Sequence, residues 1–88
     1  MGKAVWKFRL AVIDSLEIEM PEGATILHVH EQNTAICLWA LVDPNAPTVA
    51  RKFTIYGTGH PVPDAHGAYV GTAHMMDGQL VFHLFEET

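Results

Sequence analysis

The chain has 88 residues and a mass of 9.7 kDa, is 49% hydrophobic and 17% charged, and carries 10 Asp+Glu against 5 Lys+Arg. That length holds one domain, residues 1–88, and the apolar fraction is too high for a disordered segment. One cysteine excludes an internal disulfide framework and a paired-cysteine zinc finger, while a net charge of −5 argues against a nonspecific duplex nucleic-acid binder, which needs a basic surface to release counterions.

The opening Met1-Gly2-Lys3-Ala4-Val5-Trp6 holds no apolar signal-peptide core, and Trp6 stands where a myristoylation signal needs Ser or Thr. No apolar run approaches the ~20 residues that cross a bilayer. Cys37 in an apolar stretch fits a reduced thiol, so the expected location is the cytoplasm, with no membrane partner. A domain this small buries only about 60–65% of its unfolded surface. With no disulfide to supplement the core, self-association is the expected support, and a homo-oligomer is predicted.

Period-two alternation runs through nearly the whole chain. Trp6, Phe8, Leu10 and Val12 alternate with Lys7, Arg9 and Ala11, and Leu16, Ile18 and Met20 alternate with Glu17 and Glu19. Both read as half-buried strands. A hairpin between them would set Val12 across from Leu16, Leu10 across from Ile18 and Phe8 across from Met20, with Arg9 facing Glu19 on the wet side. Pro21-Glu22-Gly23 is a turn, and strands follow over residues 25–31 and 35–43. The second of these is apolar on both faces. Its length alone would also allow a short helix, but Asn33 before it and Asp43-Pro44-Asn45 after it are turn signals at strand spacing, so a central strand is expected.

A fifth strand is predicted over residues 50–56, then an irregular stretch of Gly and Pro over residues 57–67, then two strands over residues 69–76 and 79–86. Asp77-Gly78 joins the last two and is a preferred dipeptide of the two-residue type I′ hairpin. The expected fold is all-β, a compact sandwich or small barrel of about seven short antiparallel strands ending in a β-hairpin.

Six histidines are the unusual chemistry, and residues 53–88 contain His60, His66, His74 and His83 with no Lys or Arg. Histidine is the side chain that titrates between pH 5 and 8, so the charge of this half changes there, whether as a switch or simply as a histidine-rich surface. His28 and His30, two apart on a strand, leave one face about 7 Å apart. If Gln32-Asn33 form the turn, Cys37 lies opposite His28, and two imidazoles with one thiolate make a set that suits zinc. The alternative gives both histidines a wet face and no metal. His74 and His83 are expected as diagonal neighbours in the final hairpin, His74 facing Val81 and His83 facing Thr72, on a solvated face.

Tyr56-Gly57-Thr58-Gly59-His60-Pro61 is the best candidate for a binding loop. Glycines at a strand exit let backbone N–H groups converge on an anion, Thr58 and His60 add donors, and Arg51 or Lys52 add charge. The Gly-Lys-Ser/Thr ending of a phosphate-binding loop is absent, and no helix follows as the dinucleotide fingerprint requires. The candidate ligand-binding residues are Arg51, Tyr56, Thr58, Gly59 and His60. Catalysis has little support. Ser15, the only serine, falls in the first predicted turn, Cys37 lies where a thiolate is disfavoured, and nothing places Asp64 and Asp77 together. No enzyme activity and no cofactor are expected.

Trp6-Lys7-Phe8, Met20-Pro21-Glu22-Gly23-Ala24, Leu38-Trp39-Ala40-Leu41-Val42-Asp43-Pro44, Ile55-Tyr56-Gly57-Thr58-Gly59-His60-Pro61 and Leu80-Val81-Phe82-His83-Leu84-Phe85-Glu86 together resemble a family of small proteins of tailed bacteriophages and prophages, grouped as a domain of unknown function. The likeness runs from Trp6 to Glu86, and His28 and His30 lie outside its distinctive runs. It implies a phage-encoded, non-catalytic binding protein in the host cytoplasm. Such a protein would counter host defence by sequestering an anionic nucleotide signal, or would occupy a host protein through its acidic surface. A minor virion decoration protein and a small metal-binding β protein are the alternatives.

Overall fold

The computed structural model describes residues 2–87. Its strands are β1 (Ala4–Leu10), β2 (Ser15–Pro21), β3 (Thr25–Gln32), β4 (Ala35–Val42), β5 (Thr48–Gly57), β6 (Ala68–Met75) and β7 (Leu80–Glu86). They form a three-stranded sheet in the order β1-β4-β3 and a four-stranded sheet in the order β2-β5-β7-β6, every pairing antiparallel. The two sheets pack as a sandwich and do not close into a barrel.

The alternation decides which side chains go inward. Phe8 and Leu10 of β1 lie opposite Leu38 and Ile36 of β4, while Leu16 and Met20 of β2 lie opposite Phe53 and Val49 of β5. Leu38, Ala40, Val42 and Phe53 lose all exposure between the sheets. β4 is apolar on both faces because it is the central strand of three; of its outward side chains Ala35 and Cys37 are buried, while Trp39 and Leu41 stay half-buried. The sheets approach closely where β3 lies over β6. There a Cβ added at Gly71 would stand 2.9 Å from the Val29 side chain, so only hydrogen fits.

The predicted hairpin between the first two strands does not form. β1 pairs with β4 and β2 with β5, and residues 11–14 carry the chain from one sheet to the other. Both strands still turn their alternating apolar set inward, as period two requires. The rhythm is blind to which sheet a strand joins, and the apolar β4 offers β1 a better partner than β2 does. Ser15 accordingly begins β2 and is not a turn residue.

The β3–β4 turn lies one residue later than the Gln32-Asn33 reading. Gln32 pairs with Ala35, and Asn33 and Thr34 take the left-handed conformation at φ 51° and 65°. The Glu31 carboxylate accepts a hydrogen bond from the Thr34 N–H at 2.8 Å and ties the turn. The β6–β7 hairpin has the expected register, His74 opposite Val81 and Thr72 opposite His83. Asp77 and Gly78 have φ of 57° and 85° under a Gln79 N–H to Met76 C=O bond, and Met76 before them is left-handed as well.

Candidate functional site

The outward face of the four-stranded sheet carries the site. Tyr56 of β5 lies opposite His83 of β7, and His83 lies opposite Thr72 of β6. One row further, Thr54, Phe85 and Tyr69 line up in the same way. The long connection from β5 to β6 must pass β7 to reach the far edge of the sheet, so its residues fold over this face. The result is a concavity of about 220 Å³ lined by Tyr56, Thr58, His60, Val62, Tyr69, His83 and Phe85, with Gly57 and Gly59 in its rim.

Phe85 is the hub of its floor. The rings of Tyr56, Tyr69 and His66 meet it edge-on, with centroids at 5.4, 5.6 and 5.2 Å and interplanar angles of 80°, 69° and 69°. Such edge-to-face contacts fix ring orientation while leaving faces open. The wall is a chain of polar groups. Thr58 Oγ1 lies 2.8 Å from His83 Nε2, His83 Nδ1 lies 3.0 Å from Thr72 Oγ1, and Thr72 Oγ1 lies 2.6 Å from the Tyr69 hydroxyl. A neutral imidazole between two hydroxyls donates through one nitrogen and accepts through the other, which fixes the His83 ring without assigning its tautomer.

The loop is set by local geometry. The Thr58 N–H donates to Val81 C=O at 3.2 Å and the His60 N–H to Gly57 C=O at 3.0 Å, closing a tight turn around Gly59 at φ 90°. Two of the three amides over residues 58–60 are therefore engaged inside the protein. The His60 ring lies against the Gly57 α-carbon, so that a Cβ there would stand 3.0 Å from His60 Cε1. Glycine at position 57 is what lets the imidazole fold into the rim.

Of the residues expected to bind ligand, Tyr56, Thr58, Gly59 and His60 come together here, and Arg51 does not. Arg51 shares the inward face of β5 with Phe53 and Ile55. Its Nε and Nη2 donate to the two Glu86 carboxylate oxygens at 2.6 and 2.7 Å, and its Nη1 donates to Ala24 C=O at 2.6 Å. The hydrogen-bonded Glu86 carboxylate holds the Arg51 pKa above the ordinary arginine value. Lys52 points outward but stands across from Glu17, and Arg9 is on the other sheet. Among the described residues no Lys or Arg lines the concavity. Sequence reasoning missed Val62, His66, Tyr69 and Phe85 as site residues. It had His83 opposite Thr72 but could not bring that pair to Tyr56, because the β5–β7 pairing spans about 27 residues of chain.

The zinc candidates are arranged differently from the converging set that a Gln32-Asn33 turn would give. In the actual register His30, not His28, faces Cys37, and His28 faces Trp39. The two imidazoles stack on each other at 5.6 Å, and Cys37 is buried. Among the described residues no group of three or more His, Cys, Asp or Glu is arranged to hold a metal ion. His74 is exposed on the final hairpin, outside the concavity.

No curated protein and no solved structure matches the chain. A family profile does, over its whole length. With residues 1–88 matched, the chain belongs to the family described as Domain of unknown function (DUF7352).

Proposed function

We propose that the protein is a non-catalytic binding module whose outward concavity captures a small planar ligand, a nucleobase-bearing one above all. The observation that carries this reading is an aromatic group, half-buried Tyr56 and Phe85 with exposed Tyr69, joined to a polar chain, Thr58–His83–Thr72–Tyr69, on the sheet. Tyr69 is 60% exposed, and so large an aromatic held in fixed orientation at the surface suits stacking against a ligand ring. The hydroxyls and imidazoles supply donors and acceptors for a base edge. A phosphate would meet His60 and the Gly59 amide, since among the described residues no Lys or Arg lines the concavity. Chemistry is a poorer use of the same groups. The Thr58–His83 pair lacks a carboxylate behind the imidazole, where a triad needs one to stabilise the charged ring.

The likeness to phage proteins gives this binding a purpose: sequestering an anionic nucleotide signal of host defence in the host cytoplasm. Self-association belongs to the same reading, because a thin two-layer domain gains stability from a second copy. A second mode, occupation of a host protein, is favoured by Glu17 and Glu19, which stand outward on the edge strand β2 as an acidic strip.

Calorimetry with a panel of mononucleotides and cyclic nucleotides tests the proposal on the wild type and on Tyr56→Ala and His83→Ala. Binding of at least one member is expected, with Tyr56→Ala weakening it by about 1–3 kcal/mol, the worth of one stacked base. Absence of heat with every member at millimolar concentration refutes it.

A further inference from the structure

The opposite face of the sandwich has a charge of its own. The chain is acidic overall, yet no carboxylate stands at any outward position of β1, β4 or β3. In one cross-strand row Lys7, Trp39 and His28 stand side by side, and in the next Arg9, Cys37 and His30. Lys7 and Arg9 form no ion pair with a carboxylate among the described residues, where the single bridge is Arg51–Glu86. Lys7 instead reaches over β4 to the neutral Gln32 side chain, Nζ to Oε1 at 2.7 Å, keeping its full charge on this face.

The rings on the face are in series. The Trp39 and His28 centroids lie 6.1 Å apart, and His28 stacks on His30 at 5.6 Å with 23° between planes. A line of three flat side chains therefore runs along β4 and β3 beside two cations on β1. Flat rings flanked by unneutralised cations are what bind an unpaired nucleic-acid strand: bases stack on the rings without regard to sequence, and phosphates meet the charges. Two fixed cations are too few to hold a duplex, whose bases are in any case unavailable for stacking.

We propose that the outward face of the three-stranded sheet, centred on Trp39 and flanked by Lys7 and Arg9, binds single-stranded nucleic acid. This surface is separate from the concavity around Phe85, which lies on the other side of the molecule and plays no part in it.

Fluorescence anisotropy with labelled twelve-nucleotide oligo(U) and oligo(dT) tests this, with an unlabelled duplex as competitor. At 50 mM salt both single strands are expected to bind, and the duplex to compete poorly. The log–log salt slope should be about −1.4, the value for two phosphate contacts to a single strand. The exposed double variant Lys7→Gln/Arg9→Gln should keep the wild-type melting temperature and lose at least tenfold in affinity, while Tyr56→Ala should bind as wild type does. Trp6→Phe leaves Trp39 as the sole tryptophan, and its emission should be quenched on binding. No binding at 50 mM salt, binding untouched by the double variant, equal competition by duplex, or binding without quenching would each overturn the proposal. So would a homo-oligomer that the double variant dissolves while no oligonucleotide binds, which would assign the face to a second copy through Glu17 and Glu19.

Discussion

Arg51 occupies a strand position that period two reserves for apolar side chains, and its surroundings explain how it is tolerated. The guanidinium fork meets both Glu86 oxygens and the Ala24 carbonyl, so a partly buried charge is neutralised and hydrogen-bonded at once. A clasp of this kind joins β5 to β7 and to the segment that leads from β2 into β3. Arg51→Met should destabilise the fold by about 2–3 kcal/mol in urea unfolding, because Glu86 and Ala24 C=O lose a charged donor together. Arg51→Lys should recover less than half of that, since one ammonium cannot replace the planar fork. The raised pKa of Arg51 means that the guanidinium's contribution to the clasp is present below the arginine range and is lost only as pH rises through it. The parity of Arg51 with Phe53 and Ile55 was visible in the sequence. Its partners were not, because Glu86 lies 35 residues away and Ala24 lies 27 away.

Among the strands and turns, what could be read from the sequence divides cleanly between local and distant information. Alternation placed the strands because facing is a property of each segment alone. The final hairpin had the right register because Asp77-Gly78 sets its own geometry. The first hairpin failed for the opposite reason: choosing β4 over β2 as the partner of β1 depends on the whole assembly. At the β3–β4 turn the difficulty was chemical. Thr34 at φ 65° is a β-branched residue in the left-handed region, which a reader of turn propensities passes over in favour of Gln32-Asn33. Thr34→Gly removes that steric conflict and completes an Asn-Gly turn, and should raise unfolding stability by about 0.5–1 kcal/mol. A loss of stability in the same urea titration would show that the Thr34 side chain holds the turn. The concavity was half legible for the same reason. Its loop residues are contiguous in sequence, whereas its floor comes from the cross-strand pairing of β5, β7 and β6.

Across the whole molecule the two layers leave four open edges, β1, β3, β2 and β6, and each is protected in its own way. β1 carries Lys7 and Arg9, β2 carries Glu17 and Glu19 and ends at Pro21, and β3 and β6 are broken by irregularities at Ile26/His28 and Tyr69/Gly71. Charges, proline and bulges all discourage strand addition, so association with a partner should use the broad faces. Those faces differ. One is basic with stacked rings, and the other has an acidic strip beside an aromatic concavity.

The two ends of the sandwich differ too. Arg51, Glu86 and Ala24 close one end, while Val12, Met76 and Leu80 lie 49%, 64% and 45% exposed at the other, around an apolar cleft of about 460 Å³. With no such tie there among the described residues, the layers should part at that mouth first, like a book hinged at its spine. Native-state deuterium exchange should therefore find the amides beside Thr34 and Met76 labelling well ahead of those near Arg51, and Arg51→Met should erase the gradient.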